Sequence, residues 1–170
     1  MRHTTVDSPL GPLTLVADGD ALVGLYMAGQ AYRPGDERLG ALAHDDDPTL
    51  TAAAEELRQY FAGERTSFTV PLHPAGTPFQ HAVWDAVAAI PYGETSSYAE
   101  LAQQIGRPTA VRAVGAAIGR NPLTVVVPCH RVIGADGSLT GYGWGVDRKE
   151  WFLRHEGAMD AAAVQPTLFG

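Results

Sequence analysis

Cys129 is the one cysteine among 170 residues, and His130 follows it directly. A thiolate is a strong nucleophile, but a free Cys has a pKa of about 8.5, so it needs a base or a cation beside it to react at neutral pH. The pair sits in Asn121-Pro-Leu-Thr-Val-Val-Val-Pro-Cys-His-Arg-Val132. A β-branched run leads to Pro128, which breaks it one residue before the sulfur, so the pattern predicts a rigid, buried segment that turns sharply at the thiol. Glu156 closes a helical pattern just before Gly157. A carboxylate there faces the negative pole of the helix dipole, which disfavours it by roughly 0.3–1 kcal/mol. It needs solvent or a cationic, proton-relaying partner. The window Ile133–Gly145 carries five glycines interleaved with Tyr142 and Trp144, which presents aromatic faces on a permissive backbone.

The elements that must position these groups are readable in part. Thr77-Pro-Phe-Gln80 is a capping box with proline at the first helical position, and it opens a helix with Phe79, Val83, Val87 and Ile90 inward. Ser97-Tyr-Ala-Glu100 is a second box, opening a helix to about Ile105. Pro108 starts another helix to about Gly119, with Val111, Val114, Ala117 and Ile118 inward and small residues (Ala110, Ala113, Gly115, Ala116, Ala117) near its open face around Arg112. Two short helices joined by a tight turn form a helix-turn-helix pattern. Asp147-Arg-Lys-Glu150 reads as a third capping box, for a helix to about His155. Before residue 76, Thr4–Val6, Gly11–Ala17 and Ala21–Met27 read as an antiparallel meander. A helix is expected over Thr51–Ala62, a helical turn near Arg38–Leu42 and a further strand at Ser67–Val70. Asp45-Asp-Asp-Pro reads as a solvated loop, and His3, His44 and His73 as surface histidines.

The bulk numbers set the frame. The chain is expected to be an α+β protein: a small antiparallel sheet with a helix over 1–75, a mostly helical domain over 76–157, and a flexible tail over 158–170. With one Cys and no signal-peptide pattern, the expected location is the cytoplasm, without disulfide, metal or cofactor. The net charge of −7 argues against nucleic acid as a partner, yet its distribution is uneven. Residues 1–75 carry a balance of −6 and residues 76–170 of −1, whereas 97–133 hold Arg107, Arg112, Arg120 and Arg131 against Glu100 alone.

Pro128-Cys-His-Arg-Val132 with Asn121-Pro122 strongly resembles the O6-alkylguanine-DNA alkyltransferases. So do Gly76-Thr-Pro-Phe-Gln80, Val83-Trp84, Ile90-Pro-Tyr-Gly93, Ser97-Tyr98, Arg112-Ala-Val-Gly115 and Gly141-Tyr-Gly143. The resemblance covers nearly all of 76–157; residues 1–75 match that family's variable N-terminal domain loosely. It implies that Cys129 takes an alkyl group from guanine O6 once per molecule, in duplex DNA entered from the minor groove. His130 would reach the thiol proton through a water, with Glu156 holding its tautomer and stabilising its charged form. Tyr98 would donate to guanine N3, and Asn121 would tie the turns together. Arg112 would fill the space of the flipped nucleotide, with Ala113, Gly115, Ser97, Thr95 and Arg120 as further DNA contacts. Pro128, Val132, Tyr142, Gly143 and Trp144 would line the pocket, the carbonyls of Cys129 and Val132 accepting from the guanine amino group. Two departures from the family are visible. Trp144 stands where many members have glycine, which narrows the pocket for bulky adducts or stacks on them, and the N-terminal zinc cysteines of some members are absent.

Gln165-Pro-Thr-Leu-Phe169 is similar to peptides that dock bacterial sliding clamps through Gln165, Leu168 and Phe169, although a five-residue pattern often arises by chance. The chain otherwise reads as a monomer. Two other functions fit parts of the sequence: a Cys-His hydrolase, against which the adjacency of the two residues speaks, and a non-catalytic DNA-binding module, against which the presence of Cys129 speaks.

Overall fold

The computed structural model describes residues 1–139, 142 and 144–159. The chain divides into two compact units: Met1–Ala75 with Pro122–Val126, and Gly76–Asn121 with the chain from Val127 onward. The second unit begins at Gly76, and Pro122–Val126 group with the first unit. The Leu25 N–H donates to the Pro122 carbonyl at 2.8 Å, and Leu123 forms a bridge with Leu25.

In the first unit, β1 (Arg2–Val6), β2 (Leu13–Asp18) and β3 (Ala21–Met27) form the antiparallel meander. A two-residue β4 (Ala41–Leu42) adds in parallel beside β1, giving the order β3-β2-β1-β4. The helical turn expected at 38–42 is instead a 3-10 turn at Asp36–Arg38 followed by β4. Helix α1 (Pro48–Phe61) starts three residues before the sequence reading, because Asp47 caps it by accepting from the Leu50 N–H at 3.0 Å while pairing with Arg2. One acid of the supposed solvated run is thus structural. Leu50, Ala53, Leu57 and Tyr60 are buried along α1. No strand forms at Ser67–Val70. The buried Glu56 carboxylate accepts from the backbone N–H of Thr69 at 2.9 Å and of Val70 at 3.1 Å, which replaces a ladder partner there.

In the second unit, α2 (Pro78–Ala88) has both halves of its capping box: the Gln80 N–H donates to Thr77 Oγ1 at 3.1 Å, and the Thr77 N–H to Gln80 Oε1 at 2.9 Å. Ser97 caps α3 (Tyr98–Gln104) by accepting from the Glu100 N–H at 3.1 Å. Helix α4 (Val111–Gly119) begins three residues after Pro108, so Val111 stays exposed. Val114, Ala117 and Ile118 face inward, and the Ala117 carbonyl accepts from Trp84 Nε1 at 2.8 Å, so Ala117 does not belong to the open face. Helix α5 (Val146–His155) starts after Gly145 without a side-chain cap. Asp147 therefore lies inside its first turn, and the third capping box does not form. No helix of the described residues is long and apolar enough to cross a membrane.

Candidate active site

The β-branched run before the thiol is not a strand. Val125 sits at φ +79, a left-handed conformation that a β-branched residue adopts only when its surroundings impose it. Pro128, at φ −81 and ψ 67, forms an inverse γ-turn, closed by the Cys129 N–H donating to the Val127 carbonyl at 2.8 Å. A 3-10 turn follows over Cys129–Arg131, and the chain then enters β6 (Val132–Ile133). This double turn carries Cys129, His130 and Arg131 inward together; all three are buried. Asn121 locks it, with Nδ2 donating to the Val127 carbonyl at 2.9 Å and the amide also hydrogen-bonding the thiol. β6 pairs in parallel with β5 (Ser96–Ser97), the residues that lead into α3 and hence into Tyr98.

His130 Nε2 lies 2.7 Å from Glu156 Oε2. The same carboxylate accepts from Arg131 Nε at 2.7 Å and Nη2 at 3.0 Å. An ionised carboxylate only accepts, so the proton of this contact sits on Nε2 and Nδ1 carries a lone pair. That Nδ1 is buried and has no hydrogen-bond partner among the described residues. The imidazole stacks on Phe152 of α5 at 4.7 Å between centroids and 23° between planes. Glu156 caps α5 from inside the unit rather than from solvent, and its unfavourable place at the helix end is offset by Arg131 and His130.

Burial, more than any neighbour, sets the electrostatics. It pushes the Cys129 thiol up, against a hydrogen bond from Asn121 and the Lys149 cation, so the resting sulfur is protonated. Burial also pulls His130 down, against the hydrogen bond and charge of Glu156, and Arg131 adds to the lowering. Glu156 favours the charged form of His130, but dehydration outweighs it, and the resting imidazole is neutral. Tyr98 is raised by burial first and by Cys129 second, which keeps its phenol a donor.

Lys149 was not legible as a site residue. It is almost fully buried, and burial lowers it to about 8 against the opposing pull of Cys129. Its Nζ lies 5.8 Å from the centroid of the Tyr98 ring. The signal was its phase: 149, 152, 153 and 156 share one face of α5, where Phe152, Leu153 and Glu156 are also buried. Arg131 belongs to the locally basic stretch 97–133, yet it is buried, so Arg107, Arg112 and Arg120 remain as the exposed cations of that stretch.

On α4, Arg112 and Ala113 are exposed, and Gly115 is half-buried beside the Tyr98 ring. Thr95 is exposed, whereas Ser97 is buried as a helix cap. Pro128, Val132, Tyr142 and Trp144 are buried. Trp144 packs 5.8 Å from Phe152 and 6.4 Å from Tyr142, joining the aromatic cluster behind His130. Gly143 and the tail residues Gln165, Leu168 and Phe169 lie outside the described residues.

Residues 78–158 match the family model of the 6-O-methylguanine DNA methyltransferase DNA binding domain, and residues 1–74 that of its ribonuclease-like domain. The chain is 50% identical to a methylated-DNA–protein-cysteine methyltransferase of Mycobacterium tuberculosis over 99% of each chain. It is 46% identical to the constitutive enzyme of that name in Bacillus subtilis, over 82% of this chain and 85% of that one. Its fold is similar to the crystal structure of Mycobacterium tuberculosis OGT in complex with DNA, with a TM-score of 0.84 and 50% identity over 92% of this chain and 93% of that one.

Proposed function

The chain belongs to the 6-O-methylguanine DNA methyltransferase family, and we propose on that footing that it repairs O6-alkylguanine in duplex DNA by moving the alkyl group irreversibly onto Cys129. The observation that carries this reading is the bare, buried Nδ1 of His130, next in the chain to the buried thiol of Cys129, with Nε2 committed to Glu156. A neutral imidazole so oriented is a base with one free site. The thiol proton passes to Nδ1 through a bridging water as the sulfur attacks the alkyl carbon. A C–S bond forms, the C–O6 bond breaks, and the electron pair moves into the guanine ring. Tyr98 donates its phenol proton to N3, so guanine leaves neutral, and the proton held by His130 restores the phenol through solvent. Lys149 stabilises the thiolate while it exists. The product is a thioether, which water does not hydrolyse, so each chain acts once.

The target base reaches the sulfur by flipping out of the stack. Helix α4 enters the minor groove, where its small exposed residues allow close approach, and Arg112 takes the place of the missing base. Thr95, Ala113, Gly115 and Arg120 flank that contact, with Ser97 supporting it as the cap of α3. Trp144 narrows the adduct pocket, so Trp144→Gly speeds benzyl transfer more than methyl transfer. The tail docks a sliding clamp through Gln165, Leu168 and Phe169; unchanged clamp binding after removal of residues 165–170 would end that part. The reaction itself is tested by titrating the protein with duplex DNA carrying O6-methylguanine. Repaired guanine plateaus at one per chain and is absent with Cys129→Ser, while sustained turnover contradicts the reading.

A further inference from the structure

Arg131 follows the proton-accepting histidine, and its charge points into the protein. The guanidinium makes three donations: Nε to Glu156 Oε1 at 2.7 Å, Nη2 to Glu156 Oε2 at 3.0 Å, and Nη1 to the Ile90 carbonyl at 2.7 Å, just past the end of α2. The Tyr92 ring lies 5.6 Å from its Cζ. The fork therefore grips both oxygens of the carboxylate that holds His130 and ties that carboxylate to a second element. A lysine ammonium, a point charge with no fixed plane, reproduces the charge of this contact but not its geometry.

We propose that Arg131 is a positioning residue for alkyl transfer, which holds Glu156 as an ionised acceptor for His130 Nε2–H and so keeps His130 Nδ1 free to receive the thiol proton. The inference rests on the reading of Cys129 as nucleophile and His130 as its base. A charge count supports it. Arg131⁺, Glu156⁻ and a neutral His130 sum to zero in a buried site. Without the guanidinium, Glu156⁻ and neutral His130 leave one uncompensated negative charge, which is costly away from water. Taking up a proton removes that cost. Whether the proton resides formally on the imidazole or on the carboxyl, Nδ1 then carries a hydrogen and no longer accepts. The charged and titratable groups facing the pair are Cys129 and Arg131 from the turn, Tyr92 after α2, Tyr98 from α3, and Lys149 and Glu156 from α5. Lys149 also opposes a charge on His130, so it limits the uptake without replacing the contact to Glu156.

The test is the rate of methyl transfer from O6-methylguanine duplex DNA between about pH 6 and about pH 9, for wild type, Arg131→Met and Arg131→Lys, with folding checked by circular dichroism. Arg131→Met is expected to lose about tenfold or more at neutral pH and to recover as pH rises, as an upward move of one pKa unit or more requires. Arg131→Lys keeps the wild-type pH profile at a lower rate. Equal losses at every pH in both variants mean a purely structural role and overturn the proposal. So does a wild-type rate in Arg131→Met. If Arg131→Met fails to fold, the ring signals of His130 in the wild type decide by NMR. A neutral, Nε2-protonated ring at neutral pH is the expected result, and a doubly protonated ring overturns the proposal. A wild-type protein that gains no methyl at all refutes the transferase reading instead, so the two failures are distinguishable.

Discussion

Two residues set the chemistry in opposite directions. The Cys129 thiol is raised and the His130 imidazole lowered, both chiefly by burial. They rest as a neutral pair, and the thiolate exists only as the proton moves. The lowered His130 has a stability consequence with a definite sign. Its folded pKa lies below the ordinary 6.5, so the unfolded chain binds the extra proton first. Stability from this group is present above pH 6.5 and is lost as pH falls from there through the folded value. The lowered carboxyls Asp47 and Glu56 act only below their ordinary values of 3.8 and 4.5. A denaturant melt is therefore expected to lose stability as pH falls below about 6.5, and His130→Phe to flatten that loss. Lys149 adds a trade-off. Keeping a buried ammonium lowered from 10.5 to about 8 costs up to about 3 kcal/mol at neutral pH. Lys149→Met is expected to raise the thermal midpoint and to slow methyl transfer; faster transfer would contradict its role at the thiolate.

Elements were legible where local chemistry decides them. The Thr77 box and the Ser97 cap follow from hydrogen bonds within a few residues of each other, and the meander at 2–27 pairs strands that are neighbours in sequence across short turns. What could not be read depends on groups far apart in the chain. Glu56 supplies donors' partners thirteen residues on and removes a strand. Arg131 turns inward because Glu156, 25 residues later, awaits it. The candidate residues Cys129 and His130 could be singled out because they stand together in the short motif Pro128–Val132; Lys149 was hidden because a lysine in a helix is usually solvated. Two expectations follow for elements. Thr77→Ala costs about 1 kcal/mol of stability through the lost cap of α2, as read from denaturant unfolding. Under the proposed flipping step, Arg112→Ala is expected to slow methyl transfer from duplex DNA about tenfold or more. Transfer from free O6-benzylguanine, which needs no flipping, stays unchanged. Equal losses on both substrates would remove Arg112 from the flipping step.

At the scale of the molecule, a net charge of −7 has to coexist with a DNA partner. The acidic excess lies in residues 1–75, and the exposed cations Arg107, Arg112 and Arg120 lie in or next to α3 and α4. With Arg107 and Arg120 at phosphates and Arg112 in the place of the flipped base, the logarithm of DNA affinity is expected to fall against the logarithm of salt with a slope of about −2. A much steeper slope would show that other cations carry the contact. A cleft of about 490 Å³ in the first unit, among Val16, Val23, Tyr26, Leu39 and Pro74, holds none of the groups proposed to react. The most direct test of that chemistry is the mass of the intact protein after incubation with duplex DNA carrying O6-methylguanine. The account predicts that the wild type gains the mass of one methyl in place of a proton, mapped by fragmentation to Cys129, and that Cys129→Ser gains nothing. An unchanged wild-type mass, or a methyl on any other residue, would contradict it.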